Sequence, residues 1–328
     1  MFLSFIGLAA GIILLVLGGS FLVRGASEVA ASFGVSPLVV GLTIVGFGTS
    51  SPELVVNIFG ALRGATDIAF GNVVGSNISN MGLVLGLAAI VMPITIQSQI
   101  IRREIPLLIL VTTIMTVMAL DGLLHQQPAF ISRSDGIVLM LLFCIFFYVN
   151  TMDMLEVRKG DPIGKEIAEH PLIETASVSR FRWLYLVAGF GLLFVGGELT
   201  IRNGVSLASA AGISETLIGL FVVAIGTSMP ELVTSIIAAL KREPDLALGN
   251  VIGSNIFNSL IVLPTSAVIT EVAVPRGGVL DLLVSWGFVV LLIPVFVFGE
   301  ARLSRSAGVL LVALYVIYVV NRVGMELA

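Results

Sequence analysis

The segment "GLTIVGFGTSSPELVVNIFGALRGATDIAFGNVVGSNISNMGLVL" (41–85) aligns without a gap onto "GLFVVAIGTSMPELVTSIIAALKREPDLALGNVIGSNIFNSLIVL" (219–263), at a constant offset of 178. About half of the paired positions are identical, and such a match at fixed spacing marks an internal duplication. The same offset pairs Arg24 with Arg202 and Gly34 with Gly212, so the preceding segment is duplicated too. Both copies are greasy. The chain of 328 residues is 57% hydrophobic and only 12% charged, against about 25% charge in a soluble domain. A helix needs about 20 apolar residues to cross a bilayer. That template yields ten spans, near 3–32, 35–61, 68–94, 104–122, 134–152, 182–210, 213–240, 246–270, 278–299 and 305–323. The long polar stretch 153–181 divides them into five and five. Five is odd, so the second copy must enter the membrane from the opposite side. The expected fold is an all-α polytopic membrane protein. Its ten transmembrane helices form two inverted five-helix repeats, 1–152 and 182–328, with broken helices at the core.

Basic residues orient this plan. With the N-terminus outside, Arg102, Arg103, Arg158, Lys159, Lys165, Arg180, Arg182, Lys241, Arg242, Arg302 and Arg305 lie inside. Arg63, Arg133, Arg276 and Arg322 lie outside. The excess predicts both termini outside and 153–181 as a cytoplasmic linker. The first segment has no basic n-region or clear cleavage site, so it reads as a retained span. The expected location is the cell membrane, the inner membrane in a bacterium. Cys144 is the lone cysteine, which excludes an internal disulfide. The slight net charge of −4 says nothing about partners, and without a basic patch no nucleic acid is expected. The lipid bilayer is the expected surrounding, and a monomer the expected working unit.

"GFGTSSPEL" (46–54) and "AIGTSMPEL" (224–232) are the odd words in these spans. Pro52 has no N–H for the carbonyl of Gly48 and its ring clashes with it. Proline also pushes Ser51 away from helical angles, while Gly46 and Gly48 relax the turn before. Two half-helices with an unwound link are expected, and bare carbonyls at that depth are tolerated only around a cavity. Ser50 and Glu53, like Ser228 and Glu231, have capping-box spacing. A cap alone does not explain a glutamate. An ionised group at mid-membrane costs about 2.5–3.5 kcal/mol even on the lenient insertion scale, and Ser, Thr or Asn caps without that penalty. Two such carboxylates at equivalent places of inverted repeats converge near the midplane, where a cation between them relieves their repulsion.

The second constellation is "GNVVGSNISN" (71–80) and "GNVIGSNIFN" (249–258). Asn72, Ser76 and Asn80, and likewise Asn250, Ser254 and Asn258, recur every fourth residue and share one helix face. Gly71 with Gly75, and Gly249 with Gly253, are small-xxx-small pairs that permit close helix approach. The assembled donors are two carboxylates, hydroxyls of Thr49, Ser50, Ser76, Thr227, Ser228 and Ser254, amides and carbonyls, without His, Cys or Met. Hard oxygens suit Ca²⁺ or Na⁺ rather than zinc or copper. A fixed charge of −2 matches one Ca²⁺ or two monovalent ions.

At these residues the sequence resembles the Na⁺/Ca²⁺ exchanger family of the Ca²⁺/cation antiporter superfamily, whose two α-repeats carry "GTSxPE" and "GNxxGSN". The likeness is most specific over 36–90 and 214–268, and the five-plus-five plan extends it to the whole chain. The resemblance implies alternating access around a central site, with gating helices sliding over a broken-helix core. It implies Glu53 and Glu231 as the shared Ca²⁺/Na⁺ carboxylates. Thr49, Ser50, Ser76, Thr227, Ser228 and Ser254 are the implied oxygen ligands, and Gly46 and Ala224 the implied backbone carbonyls. Asn80 fits the family pattern, and Asn258 stands where some relatives have Asp. No cofactor is implied; Ca²⁺ and Na⁺ are cargo.

Rival activities fare worse. No His lies within a span, as a membrane hydrolase with a nucleophile and base requires. No "GxxxxGK[ST]" is present for ATP. A channel suits a midplane carboxylate pair less well than alternation does. Proton-coupled antiport stands beside Na⁺/Ca²⁺ exchange, since a carboxylate carries H⁺ as readily as Na⁺.

Overall fold

Unpaired backbone groups are too costly in hydrocarbon, so a chain this apolar folds as helices. The computed structural model describes residues 2–64, 66–97, 100–120, 129–159, 179–210, 224–298 and 301–327. Within them the first repeat comprises α1 (Phe2–Phe33), α2 (Pro37–Thr49), α3 (Ser51–Leu62), α4 (Thr66–Ser79) and α5 (Leu85–Val91). It continues with α6 (Ile105–Ala119) and α7 (Arg133–Lys159). The second comprises α8 (Arg182–Ala210), α9 (Ala224–Thr227), α10 (Met229–Leu240), α11 (Pro244–Phe257) and α12 (Leu263–Ile269). It ends with α13 (Gly278–Phe298) and α14 (Arg305–Leu327). Six helices are long and apolar enough to cross a membrane unbroken among the described residues, and the bent pair α2–α3 makes a seventh. The other three segments, α6, α10 and the Gly278–Pro294 stretch of α13, are shorter. The span expected over 213–240 is described only from Ala224. The helix expected over 134–152 runs on to Lys159, and most of the linker, 160–178, lies outside the described residues.

The inverted repeats are visible element by element. α3 and α10, α4 and α11, and α5 and α12 have the same lengths at an offset of 178. Each long central helix is interrupted by a π-helical turn at the same place, Asn80–Val84 in one copy and Asn258–Val262 in the other. Such bulges shift side chains around a helix and concentrate at functional sites. These two central helices form the middle of the bundle, where Phe70, Val73, Ile78, Val251, Ile252 and Ile256 are fully buried. The outer surface is apolar instead, with Leu141, Ile145 and Val320 exposed.

Two features join the halves. Strand β1 (Ile94–Thr95) of the first repeat pairs antiparallel with β4 (Arg302–Leu303) of the second, and β2 (Phe130–Ile131) pairs with β3 (Val272–Ala273). These short ladders lie at opposite ends of the bundle and satisfy backbone groups where helices stop. The second feature is a glycine seam between α1 and α8, which run antiparallel. A Cβ on Gly11, Gly18 or Gly25 would lie 2.6–2.8 Å from the backbone nitrogen of Thr200, Leu193 or Leu186. Gly189 and Gly196 meet Leu22 and Leu15 in the same way. Every seventh residue returns to one face after two turns, so the seam is continuous and the helices touch backbone to backbone.

Candidate functional site

The break in the first motif is sharper than an unwound link. α2 and α3 are separated by Ser50 alone, with φ −87° and ψ 8°, and bend by 42°. One residue suffices because Pro52 takes the N1/N2 region of α3, where its missing N–H costs nothing. The Gly46 carbonyl still accepts from the Ser50 N–H at 3.2 Å. The second copy breaks at Ser228, with nearly the same angles.

The capping boxes do not form. Neither Ser50 nor Ser228 caps its half-helix; both side chains reach across the molecule instead. Ser50 Oγ donates to Glu231 Oε1 at 2.7 Å, and Ser228 Oγ donates to Ser76 Oγ at 3.3 Å. The Ser50 proton thus goes to a buried carboxylate, a strong acceptor, and the Ser228 proton to a neutral hydroxyl. The motif glycines do not relax a turn either, since none has a positive φ. They make room. Gly46 and Gly41 of α2 lie against Gly253 and Gly249 of α11, where added Cβ atoms would sit about 3 Å or less from opposing backbone. This crossing brings the Gly46 carbonyl within 3.2 Å of Ser254 Oγ. Gly48 accommodates the ring of Phe190, and Gly226 the side chain of Ile201, both from α8. The residues that would face Gly71 and Gly75 in the same manner, 216–220, are outside the described ones.

Glu53 and Glu231 are both 0% exposed, and Ser50, three residues before Glu53, joins the two breaks through its bond to Glu231. Glu231 Oε1 also has Ser254 Oγ at 3.5 Å. Glu231 Oε2 and both oxygens of Glu53 have no hydrogen-bond partner among the described residues. Thr49 is buried, with its hydroxyl 3.4 Å from that of Ser254. Thr227 is buried at the second break, on a cleft that also touches Pro52 and Pro230. Ala224 opens α9 at the position equivalent to Gly46; residues 211–223 before it are not described. A larger cleft of about 400 Å³ runs from Thr49, Ser51 and Pro52 along Phe190 and Phe194 of α8.

The polar stripes divide into layers. Ser76 and Ser254 join the hydroxyl cluster. Asn80 Nδ2 donates to Asn255 Oδ1 at 3.0 Å, and its own Oδ1 has no partner among the described residues. Asn258 is fully buried with neither Oδ1 nor Nδ2 hydrogen-bonded among the described residues. Asn72 and Asn250 stand one layer back, on Asn57 and Ser235. Sequence reasoning does not pick out Asn57, Ser235 and Asn255 as site residues, although Asn57 and Ser235 follow Glu53 and Glu231 by four residues and Asn255 closes the "GNVIGSN" motif. Asp245 lies in the first turn of α11 and accepts from Gln97 Nε2 at 2.7 Å.

No group of three or more His, Cys, Asp or Glu is clustered among the described residues. The site is a pair of carboxylates in a shell of neutral oxygens. Two carboxylates buried with three of their four oxygens lacking a partner among the described residues are stable only with a compensating cation or proton.

The comparisons with known proteins agree with this geometry. The family model described as sodium/calcium exchanger protein matches residues 3–152 and 181–324. The chain is 39% identical to the putative antiporter CaxA of Alkalimonas amylolytica, over 86% of this chain and 83% of that protein. It is 37% identical to the inner membrane protein YrbG of Escherichia coli, over 95% and 94%. It is 29% identical to the sodium/calcium exchanger MaX1 of Methanosarcina acetivorans, over 97% of each. Among solved structures, the sodium-calcium exchanger NCX_Mj soaked with 2.5 mM Na⁺ and 0.1 mM Ca²⁺ superposes with a TM-score of 0.81 at 30% identity, covering 97% of this chain and 98% of that one. With its inverted repeats, paired helix breaks and facing carboxylates, the chain belongs to the sodium/calcium exchanger family of membrane transporters, and is not an enzyme.

Proposed function

We propose that this protein exchanges Ca²⁺ for Na⁺ by alternating access, with Glu53 and Glu231 sharing the ions. The observation that carries the reading is the buried pair itself: three of its four oxygens have no hydrogen-bond partner among the described residues. Around it Thr49, Ser50, Ser76, Thr227, Ser228 and Ser254 supply hydroxyls, Gly46 and Ala224 carbonyls, and Asn80 and Asn258 amide oxygens. Hard oxygens in this number fit the six to eight ligands of Ca²⁺ and exclude soft-metal preference. One Ca²⁺ or two Na⁺ neutralises the pair, so exchange keeps the buried charge balanced at each half-cycle. The named exchanger among the relatives supports Na⁺ as the coupling ion.

Ca²⁺ uptake into proteoliposomes under imposed Na⁺, K⁺ or pH gradients tests the proposal. An outward Na⁺ gradient should drive saturable uptake. Uptake driven by a pH gradient and indifferent to Na⁺ would replace Na⁺ by H⁺ as the coupling ion. Non-saturating flux without a counter-gradient would make the protein a channel. We further place both termini outside and 153–181 in the cytoplasm, working as a monomer in the cell membrane. A cysteine introduced by Ser177→Cys should resist an impermeant thiol reagent in intact cells, and ready labelling from outside would reverse the orientation.

A further inference from the structure

A hydroxyl serves a cation only when its proton points elsewhere. Threonine has one O–H to donate and two lone pairs to offer. Three acceptors lie within reach of the Thr49 proton: Asn250 Oδ1 at 3.0 Å, the Gly46 carbonyl at 3.3 Å and Ser254 Oγ at 3.4 Å. The nearest is held in place from behind. Asn250 Nδ2 faces the backbone carbonyl of Glu231 at 3.3 Å and Ser235 Oγ at 2.9 Å. A carbonyl accepts and cannot donate, so a flipped amide would set oxygen against oxygen there. Oδ1 is therefore the atom that meets Thr49. Asn250 is itself fully buried, where an unmade amide hydrogen bond is expensive. The first repeat has a parallel arrangement: Asn72 donates its Nδ2 to Asn57 Oδ1 at 2.7 Å, and Asn57 donates to the Ala69 carbonyl at 3.1 Å. Asn57 is the equivalent of Ser235 (57 + 178 = 235).

We propose that Asn250 is a positioning residue for transport. It takes the Thr49 proton, which turns the lone pairs of Thr49 toward the ion between the carboxylates. Ser235 and the Glu231 carbonyl lock the amide in the orientation that does so. Without Asn250 the Thr49 proton turns to the Gly46 carbonyl or the Ser254 hydroxyl, both part of the ion's own shell, and each such bond competes with coordination. The proposal rests on the reading of Thr49 as an ion ligand, and the test separates the two.

The experiment is a double-mutant cycle on the Ca²⁺ half-saturation concentration in proteoliposomes, using Thr49→Val, Asn250→Leu and both together. Asn250→Leu should raise half-saturation about tenfold, the size of one good hydrogen bond. Thr49→Val should also raise it, and the double variant should be no worse than Thr49→Val alone. Fold-changes that multiply would show that Asn250 merely packs helices, and would overturn the proposal while sparing the site. A Thr49→Val protein with unchanged half-saturation would remove Thr49 from the ion shell, and the proposal with it. Should Asn250→Leu fail to insert, Ser235→Ala takes its place, because it unlocks the same amide with little change in volume. It should raise half-saturation about threefold, and that increase should vanish in the Thr49→Val background. Persistence there would equally overturn the proposal.

Discussion

Ser50 and Ser228 occupy equivalent positions in the two repeats, yet the structure makes them unequal. Ser50 Oγ lies 2.7 Å from a carboxylate oxygen of Glu231, whereas Ser228 Oγ lies 3.3 Å from the neutral hydroxyl of Ser76. A hydrogen bond to a charged group is worth about 1.5–3 kcal/mol and a neutral one about 0.5–1.5 kcal/mol. At 3.3 Å an O–H···O bond is longer than usual, so the Ser228 bond belongs at the low end of the neutral range. Alanine removes one candidate oxygen ligand in either case, and that loss cancels in the comparison. The remaining difference is about 1–2 kcal/mol, or roughly 5–30-fold in an equilibrium constant. Ser50→Ala should therefore raise the Ca²⁺ half-saturation about 5–30-fold more than Ser228→Ala does, at the membrane face that this conformation serves. Alternating access exchanges the roles of inverted repeats, so the order should reverse at the other face. The assay is Ca²⁺ uptake in right-side-out and inside-out vesicles carrying each variant. Two variants that behave alike at both faces would refute the reasoning, because the hydrogen-bond asymmetry would then carry no energy.

Glu53→Gln and Glu231→Gln should each abolish exchange while leaving expression and gel-filtration behaviour intact, since Gln keeps size and removes half the fixed charge; full transport by either would end the carboxylate-site reading. Arg242 has a φ of 62° where its repeat partner Gly64 has 73°, and a left-handed angle costs a side-chain-bearing residue about 1–2 kcal/mol. Arg242→Gly should raise the melting temperature in detergent, and a lower value would show that contacts of the arginine side chain outweigh the relief of backbone strain. Burial on the turn before α11 pushes the Glu243 carboxyl above its ordinary range, offset in part by Ser27. A raised acid folds best protonated, so its favourable contribution is full below the ordinary carboxylate range and lost as pH rises through the raised value. Glu243→Gln should accordingly stabilise the protein at pH 8 and change little at pH 4; equal gains at both would exclude a titration effect.

Much of this molecule was legible in its residues because the relevant signals are covalent and local. A gapless repeat separated by an odd number of apolar segments dictates inversion before any contact is known. Proline within an apolar span dictates a break, and a glutamate beside it dictates a reason to tolerate charge, so Glu53 and Glu231 follow from chemistry alone. Tertiary structure decided what depends on which surfaces meet. Capping-box spacing correctly located Ser50 and Ser228 but not their partners, because the groups their hydroxyls reach come from the other half of the chain. Close helix approach was legible at Gly249 and Gly253, but Gly46 looked like a source of backbone freedom, whereas its crossing against Gly253 is what requires it. The seven-residue spacing of Gly11, Gly18 and Gly25 was present in the sequence, but only the opposing backbone of α8 gives it meaning. Asn250 reads as one amide among several on a polar stripe until the Glu231 carbonyl fixes which of its atoms faces Thr49. Hydrogen bonds between segments some 200 residues apart are set by packing, and no local pattern encodes the choice among competing donors.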